Sequence, residues 1–287
     1  MAAAQAAKAL RGMLELRMRG SELTLPVLPS VVNRLNSELN SPNSRLQKAS
    51  AIIAADSGIA AKVIQVANSA AYRGSSQFNT VNEAVVRLGV RTTTSIVMAV
   101  CQKGIYKKST SMQEVMEDLF SHGLATAIFA RFVAQVVKYK QPEEAFLAGL
   151  LHDISSPLIL RLLGDIMEAN KSVGYTEWEC IAVIRELHPE VGASVLRKWG
   201  LASDILYVVE HHEHLSQDDP FALVSNIVFL ANVLAKRCGF GLIEEIETEA
   251  QEAAGAAVLS LDARAVAHIK QVCAVRSEHE IAVLAGV

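Results

Sequence analysis

Apolar residues recur at spacings of three and four along nearly the whole chain, and this pattern constrains its fold more than any other feature. Such spacing places the apolar side chains in one stripe along an α-helix, whereas a half-buried β-strand alternates apolar and polar residues. Short polar turns join the segments, without the Asn-Gly turns and alternating runs that mark β-hairpins. The sequence therefore predicts an all-α protein.

Composition limits the classes of function. Of the 287 residues, 51% are hydrophobic, which is enough to bury the core of one large domain or of two packed lobes. The formal net charge is −3 and the basic residues are scattered, so we expect no nucleic-acid partner. The longest apolar runs, such as "NIVFLANVLA", fall short of the roughly 18 to 20 residues of a membrane span, so we expect no membrane insertion.

The cysteines indicate a reducing compartment. They are widely separated, lie in apolar stretches and show no CxxC spacing: Cys101, Cys180, Cys238 and Cys273. We therefore expect buried thiols in a cytoplasmic protein. The first residues, "MAAAQAAKALRGMLELRMRG", predict an amphipathic helix, and an organellar targeting peptide stays open as the alternative.

Local signals divide the chain further. Asp56 is a helix-start residue, and Thr80 opens a helix with Gly89 near its end. The polar stretch "CQKGIYKKSTSMQE" separates two strongly apolar helices and is the predicted boundary between two lobes. The long helix that follows, from about Met112 to Lys138, carries His122.

The segment "GLLHDISSPLIL" places His152 and Asp153 at a predicted helix junction. Ser156 suits a helix N-cap and Pro157 suits a first helical turn, so one helix should stop at the pair and another begin just beyond it. His188 precedes a proline, which disfavours the α conformation, so it too is expected at a junction. Three helix ends could then face one pocket.

Taken one at a time, histidines are more often packing or capping residues than ligands. We expect His268 and His279 to be surface or capping residues without a role. The run His211, His212, Glu213, His214 is also compatible with a solvated helix C-terminus, where imidazolium suits the helix dipole. Residue type and spacing alone leave both interpretations open.

Larger segments carry a resemblance to a known family. "LPVLPSVVNRL", "AADSGIAAKVIQVANSAAYRG" and "FNTVNEAVVRLGV" resemble the N-terminal half of the HDOD domain, a helical relative of the HD phosphohydrolases in bacterial signalling proteins. "AFLAGLLHDISSPLIL", "ELHPEVGASVLRKWGL" and "ILYVVEHHEHL" resemble its C-terminal half. The resemblance implies a first helix over 1–21, a two-lobed HDOD domain over 22–216 and further helices over 217–287. The N-terminal lobe would span about 22–110, and the HD-like lobe would span about 111–216.

The same resemblance implies a metal site. The ligand positions of HD enzymes fall on His122, His152, Asp153, His188, His211 and His212. Such nitrogen and carboxylate ligands suit a divalent transition metal, namely Fe, Mn or Zn. The closing aspartate of the HD pattern falls near Asn232, which is a neutral and weaker ligand.

The site also departs from the hydrolase pattern. Cyclic-dinucleotide hydrolases of this superfamily usually continue the His-Asp pair with Ile-Gly-Lys, whereas Ser155 and Ser156 replace the glycine and lysine here. The stretch "HHEHLSQDDP" lacks the Gly-Tyr-Pro element of that branch. Because loss of one charge-stabilising donor costs about 10²- to 10³-fold in rate, we expect weak turnover or none.

Two functions follow from the resemblance. The preferred one is a regulatory interaction module that meets signalling proteins in trans, with an incomplete HD site that still binds metal. The alternative is a metal-dependent phosphohydrolase acting on a nucleotide or cyclic dinucleotide, in which the metal activates a water molecule. Near His152 and His211, Arg161 is the one basic residue in the sequence that could meet a phosphate. A homo-oligomer stays open.

Overall fold

A computed structural model of the chain describes residues 2–19, 30–39, 46–69, 72, 77–106, 112–169, 176–241 and 249–285. Within these ranges it contains thirteen helices and no strand. The prediction of an all-α protein is confirmed.

The helices fall into three consecutive groups along the chain. The first comprises α1 (Ala2–Arg19), α2 (Ser30–Leu39), α3 (Leu46–Ala54), α4 (Ser57–Ala67) and α5 (Val81–Gln102). The second comprises α6 (Gln113–Val136), α7 (Pro142–Leu151), α8 (Ser156–Ala169), α9 (Glu177–Lys198) and α10 (Ser203–His211). The third comprises α11 (Ala222–Arg237), α12 (Glu249–Val258) and α13 (Ala263–Ala285).

The helix starts predicted at Asp56 and Thr80 are confirmed. The Asp56 side chain accepts a hydrogen bond from the Ile59 N–H at 3.0 Å. Thr80 forms a reciprocal capping box with Glu83, in which each side chain binds the other residue's backbone N–H. Gly89 has φ 82°, a left-handed conformation that interrupts α5 without ending it, because helical turns resume and continue to Gln102.

Helix α6 lies at the centre of the packing. Most of its side chains are buried, and it packs against α7, α11 and α13. Helices α2, α3 and α4 pack instead on α5, which forms the axis of the N-terminal group. Helix α1 leaves that group and packs on α8 and α9, with Leu10 and Leu14 fully buried.

Three described stretches are long and apolar enough to cross a membrane by length and composition alone: Val81–Gln102, Gln113–Val136 and Pro142–Ala169. A fourth candidate arises if the bent pair α3 and α4 is counted as one span. The lengths of uninterrupted apolar runs in the sequence predict no membrane span, because scattered polar residues interrupt the apolar residues of these stretches. Within the fold, 50%, 78% and 78% of the most apolar windows of the three stretches are buried. Their apolar side chains therefore pack largely against other helices of the same chain.

Candidate metal centre

Close approach of α6 and α7 brings the first two histidines together. A Cβ atom at Gly149 would lie 3.0 Å from the Ala127 Cα and from the Thr126 carbonyl oxygen, so only glycine permits this backbone contact without a shift. Helix α7 ends at Leu151, and His152 follows directly. As a result, the Nε2 atoms of His122 and His152 lie 3.2 Å apart.

A second close approach joins α9 and α10. A Cβ atom at Gly192 would lie 2.7 Å from the Val209 Cγ1. His188 projects from α9, and His212 follows the last residue of α10. Their Nε2 atoms are also 3.2 Å apart.

Asp153 lies between the two histidine pairs. Its Oδ2 is 3.3 Å from His152 Nε2 and 3.7 Å from His122 Nε2. Its Oδ1 is 3.2 Å from His188 Nε2 and 3.4 Å from His212 Nε2. We name these five residues the His–Asp cluster. Its imidazoles are at most 5% exposed, and the Asp153 side chain is 19% exposed.

The junction predicted at the His-Asp pair is confirmed, with one shift. Helix α8 begins at Ser156, and the Ile159 N–H donates to the Ser155 carbonyl at 2.8 Å, so Ser155 and not Ser156 holds the capping position. The Ser155 hydroxyl donates to the His188 carbonyl at 2.6 Å instead of capping α8. The serine at the glycine position of the hydrolase pattern therefore ties the junction to α9.

The junction predicted at His188 is wrong, because α9 runs without a break through Pro189. A proline inside a helix removes the N–H that would bind the carbonyl four residues earlier, here that of Arg185. The Nδ1 of His188 lies 3.1 Å from that carbonyl and 3.1 Å from the Ile184 carbonyl. The imidazole N–H thus replaces the missing backbone donor.

All the cluster histidines use Nδ1 in the same way. Besides His188, Nδ1 lies 2.8 Å from the Phe240 carbonyl in His122, 2.7 Å from the Gly149 carbonyl in His152 and 3.1 Å from the Val209 carbonyl in His212. A neutral imidazole carries one N–H, and a carbonyl can only accept, so the proton is on Nδ1. Each Nε2 therefore presents a lone pair to Asp153, the arrangement found where histidines bind metals.

The neutral imidazoles and the ionised carboxylate of the cluster favour the binding of a cation. Burial lowers the pKa of His212 to about 4, so its imidazole is neutral at pH 7. Burial raises the pKa of Asp153, whereas positive charge beside the carboxylate, at the His152 and His188 positions, lowers that pKa well below its ordinary value. The Asp153 Oδ1 is buried with no hydrogen-bond partner among the described residues. Lone pairs and a carboxylate at this spacing fit a divalent transition metal.

The structure does not bring His211 into the cluster. The side chain is exposed, its Nδ1–H donates to the Tyr207 carbonyl at 2.9 Å, and its ring stacks on that of Tyr207 at 4.2 Å between centroids. This matches the open alternative of a solvated helix C-terminus. Asn232 is buried in α11, and its Oδ1 has no hydrogen-bond partner within the described part of the chain.

Two contributors to the site were not found from the sequence. Glu213 places its Oε1 3.7 Å from His188 Nε2, with its side chain 42% exposed, so it adds an acidic group beside the cluster. Its position directly after His212 was the available signal. The Phe240 carbonyl that orients His122 comes from the turn after α11, and a backbone carbonyl has no signature in sequence.

Comparison with known proteins matches residues 25–215 to the HDOD domain. A candidate metal-dependent phosphohydrolase from Shewanella amazonensis SB2B has a similar crystal structure, with TM-score 0.77 and 21% identity over 99% of this chain and 100% of that one. An HDOD domain protein with unknown function from Geobacter sulfurreducens gives TM-score 0.74 and 19% identity, over 96% and 98% of the two chains.

A curated relative extends well beyond the matched region. An uncharacterized protein of Treponema pallidum (strain Nichols) is 20% identical over 213 residues. The match covers 71% of this chain and 41% of that relative. At 21% and 19% identity, the solved structures from Shewanella amazonensis and Geobacter sulfurreducens establish a shared fold.

Proposed function

Because this chain belongs to the HDOD family, we propose that it is a regulatory module of bacterial signalling whose His–Asp cluster holds a divalent transition metal. In this proposal the metal sets the conformation that partner proteins meet in trans. Catalytic turnover is weak or absent.

The observation that carries the proposal is the convergence of the Nε2 lone pairs on Asp153. His122 and His152 with Asp153 form one donor group, and His188 and His212 with the same carboxylate form a second. Both groups contain Asp153, so the two histidine pairs would contribute ligands around the same carboxylate. Imidazole and carboxylate ligands suit Fe, Mn or Zn.

A metal in this position would link separate parts of the fold. The donors come from α6, the α7–α8 junction, α9 and the end of α10. Bound metal would hold these helices together, and ligand binding stabilises whichever conformation it prefers. Metal occupancy can therefore change the surface that these helices present to a partner.

Several features argue against efficient hydrolysis. Serines stand at the Gly-Lys positions of the hydrolase pattern, and the Glu213 carboxylate beside the cluster would repel a phosphate. The Arg161 guanidinium is partly engaged, since its NH2 donates to the Ile105 carbonyl at 2.6 Å, and its buried Nε has no hydrogen-bond partner among the described residues. The charge that a phosphoryl transition state develops would therefore find little compensation from these side chains.

The test compares two adjacent histidines. Metal content would be measured by mass spectrometry in wild-type protein, His212→Ala and His211→Ala, each loaded with Fe²⁺, Mn²⁺ or Zn²⁺ and then desalted. We expect His212→Ala to lose metal and the matched control His211→Ala to retain it, because the His211 side chain is exposed and hydrogen-bonded to the Tyr207 carbonyl outside the cluster. Wild-type protein that holds none of these metals would contradict the proposal.

A metal-dependent phosphohydrolase is the second candidate, favoured by the same donor set. A bound divalent metal can polarise a phosphoryl oxygen and acidify a water molecule. Turnover of a nucleotide, a cyclic dinucleotide or bis(p-nitrophenyl) phosphate would be measured with and without chelator. Strong native turnover that is lost on chelation and in His152→Ala would replace the regulatory proposal with the enzymatic one.

A further inference from the structure

The C-terminal end of α7 is held by a donor from the N-terminal helices. A helix leaves its last carbonyl groups without intrahelical partners. In α7, the Gly149 carbonyl binds the His152 ring at 2.7 Å and the Leu151 carbonyl accepts from the Ile154 N–H at 3.1 Å. The Leu150 carbonyl accepts instead from Gln102 Nε2, at 2.9 Å. The last residue of α5 therefore completes the turn that presents His152 and Asp153.

The same segment also holds the helix beyond the junction. Arg161 of α8 donates to the Ile105 carbonyl, which lies in the turn directly after α5. Residues 102–106, which we name the α5 turn, thus bind α7 on one side of the His-Asp pair and α8 on the other. Gln102 is only 3% exposed, so water competes little for its hydrogen bond.

Tyr106 extends this contact to the helix that carries His122. Its ring packs edge-on against Phe120, with centroids 5.4 Å apart. Its hydroxyl oxygen lies 4.0 Å from where a Cβ of Gly123, the neighbour of His122, would be. The α5 turn therefore contacts three of the helices around the cluster.

We propose that Gln102 is a positioning residue for the His–Asp cluster, through which the N-terminal helices regulate its affinity for metal. This inference rests on the proposed function, because it requires that the cluster bind metal. Helices α2, α3 and α4 pack on α5, so a shift of this group moves the Gln102 amide relative to Leu150. Coupling between sites is reciprocal, so metal binding must in turn stabilise α5.

The first experiment measures Zn²⁺ affinity by competition with a chromophoric chelator, together with the visible spectrum of the Co²⁺-loaded protein. In Gln102→Leu the size of the side chain is nearly kept while the amide donor is lost. We expect an affinity loss of about 10-fold, at the lower end of the effect of removing groups that orient metal ligands, and an altered Co²⁺ spectrum. Gln102→Met, which keeps an unbranched side chain of similar length but cannot donate, should behave in the same way.

Gln113→Leu provides the matched control. Gln113 is exposed on α6 and donates its amide to Glu117 at 2.8 Å, so the same substitution removes a hydrogen bond away from the cluster. Its Zn²⁺ affinity and Co²⁺ spectrum should equal those of the wild type. A Gln102→Leu variant indistinguishable from this control would overturn the positioning role.

The second experiment needs no variant. Hydrogen exchange of wild-type protein would be followed with and without Zn²⁺, and we expect slower exchange in the second half of α5 as well as at the cluster helices. Protection confined to α6, α7, α9 and α10 would refute the coupling while leaving metal binding intact. Wild-type protein that takes up none of Zn²⁺, Co²⁺, Fe²⁺ and Mn²⁺ would instead remove the proposed function and this inference together.

Discussion

Substitution of Gly149 by alanine tests the packing that assembles the cluster. The added Cβ would meet the Ala127 Cα and the Thr126 carbonyl oxygen at 3.0 Å and the Ala127 nitrogen at 3.1 Å. These are backbone atoms of a buried helix and cannot rotate away. Since carbon atoms pack best about 3.5 to 4.0 Å apart, α7 must move away from α6 by about half an ångström.

The expected change in stability is the difference between two terms. Overpacking of this kind costs about 1 to 3 kcal/mol, and replacing glycine by alanine within a helix returns about 0.5 to 1 kcal/mol. We expect a net loss of about 0 to 2.5 kcal/mol in the free energy of unfolding. Displacement of α7 should also weaken metal binding, because His152 follows its last residue.

The assay is urea unfolding followed by circular dichroism, with Gly123→Ala as the matched control. A Cβ at Gly123 would meet its nearest atom, the Leu150 carbonyl oxygen, at 3.6 Å, which is an ordinary contact. That variant should be neutral or stabilised by up to about 1 kcal/mol. If Gly149→Ala is as stable as Gly123→Ala and binds Zn²⁺ as tightly as the wild type, the close helix contact does not position the site.

Further predictions address the metal, the core and buried charge. Removing metal held at 100-fold above its Kd should lower the free energy of unfolding by about 2.7 kcal/mol, seen as a lower melting temperature in chelator. In the metal-free protein, Leu150→Ala should lower the free energy of unfolding by about 2 to 5 kcal/mol, whereas His152→Ala should leave a folded protein. If thermal melts show equal losses of stability for the two variants, His152 is a structural residue. Burial raises the pKa of Glu280 despite nearby Arg131, so its ionisation opposes folding. Stability from this group is greatest below the ordinary glutamate pKa and falls as pH rises, so Glu280→Gln should lose less stability than wild type between about pH 4.5 and pH 7 in urea titrations. Finally, Ser156→Lys combined with Asn232→Asp should raise metal-dependent phosphodiesterase activity above the native level, which assays with matched thermal melts would check.

Local chemistry made part of the fold predictable. Asp56 and Thr80 cap helices through their own side chains and nearby N–H groups, so residue type and spacing were enough to find them. The all-α class followed from periodicity in the same way. The extent of α5 was harder, because Gly89 interrupts helical geometry without ending the helix.

The site depended more on contacts distant in sequence. His211 and His212 are adjacent, and only the packing of α10 on α9 decides that one meets Asp153 while the other stacks on Tyr207. The Phe240 carbonyl is 118 positions from His122, and nothing in its residue type marks it as an acceptor. The family resemblance supplied the remaining cluster members, which composition and periodicity could not have assembled.

Pro189 within α9 lowers the stability of the helix but leaves the Arg185 carbonyl to the His188 ring, which orients that ring. Pro189→Ala would return an N–H to the helix and remove a residue that disfavours helix interiors by about 3 kcal/mol. That N–H would compete with the His188 ring for the Arg185 carbonyl, leaving the ring freer to change tautomer and turn its lone pair away from Asp153. Under the proposed function, selection or design for thermal stability alone would therefore favour a helix that holds metal less well, so an increase in melting temperature would be a poor guide to metal affinity at this position.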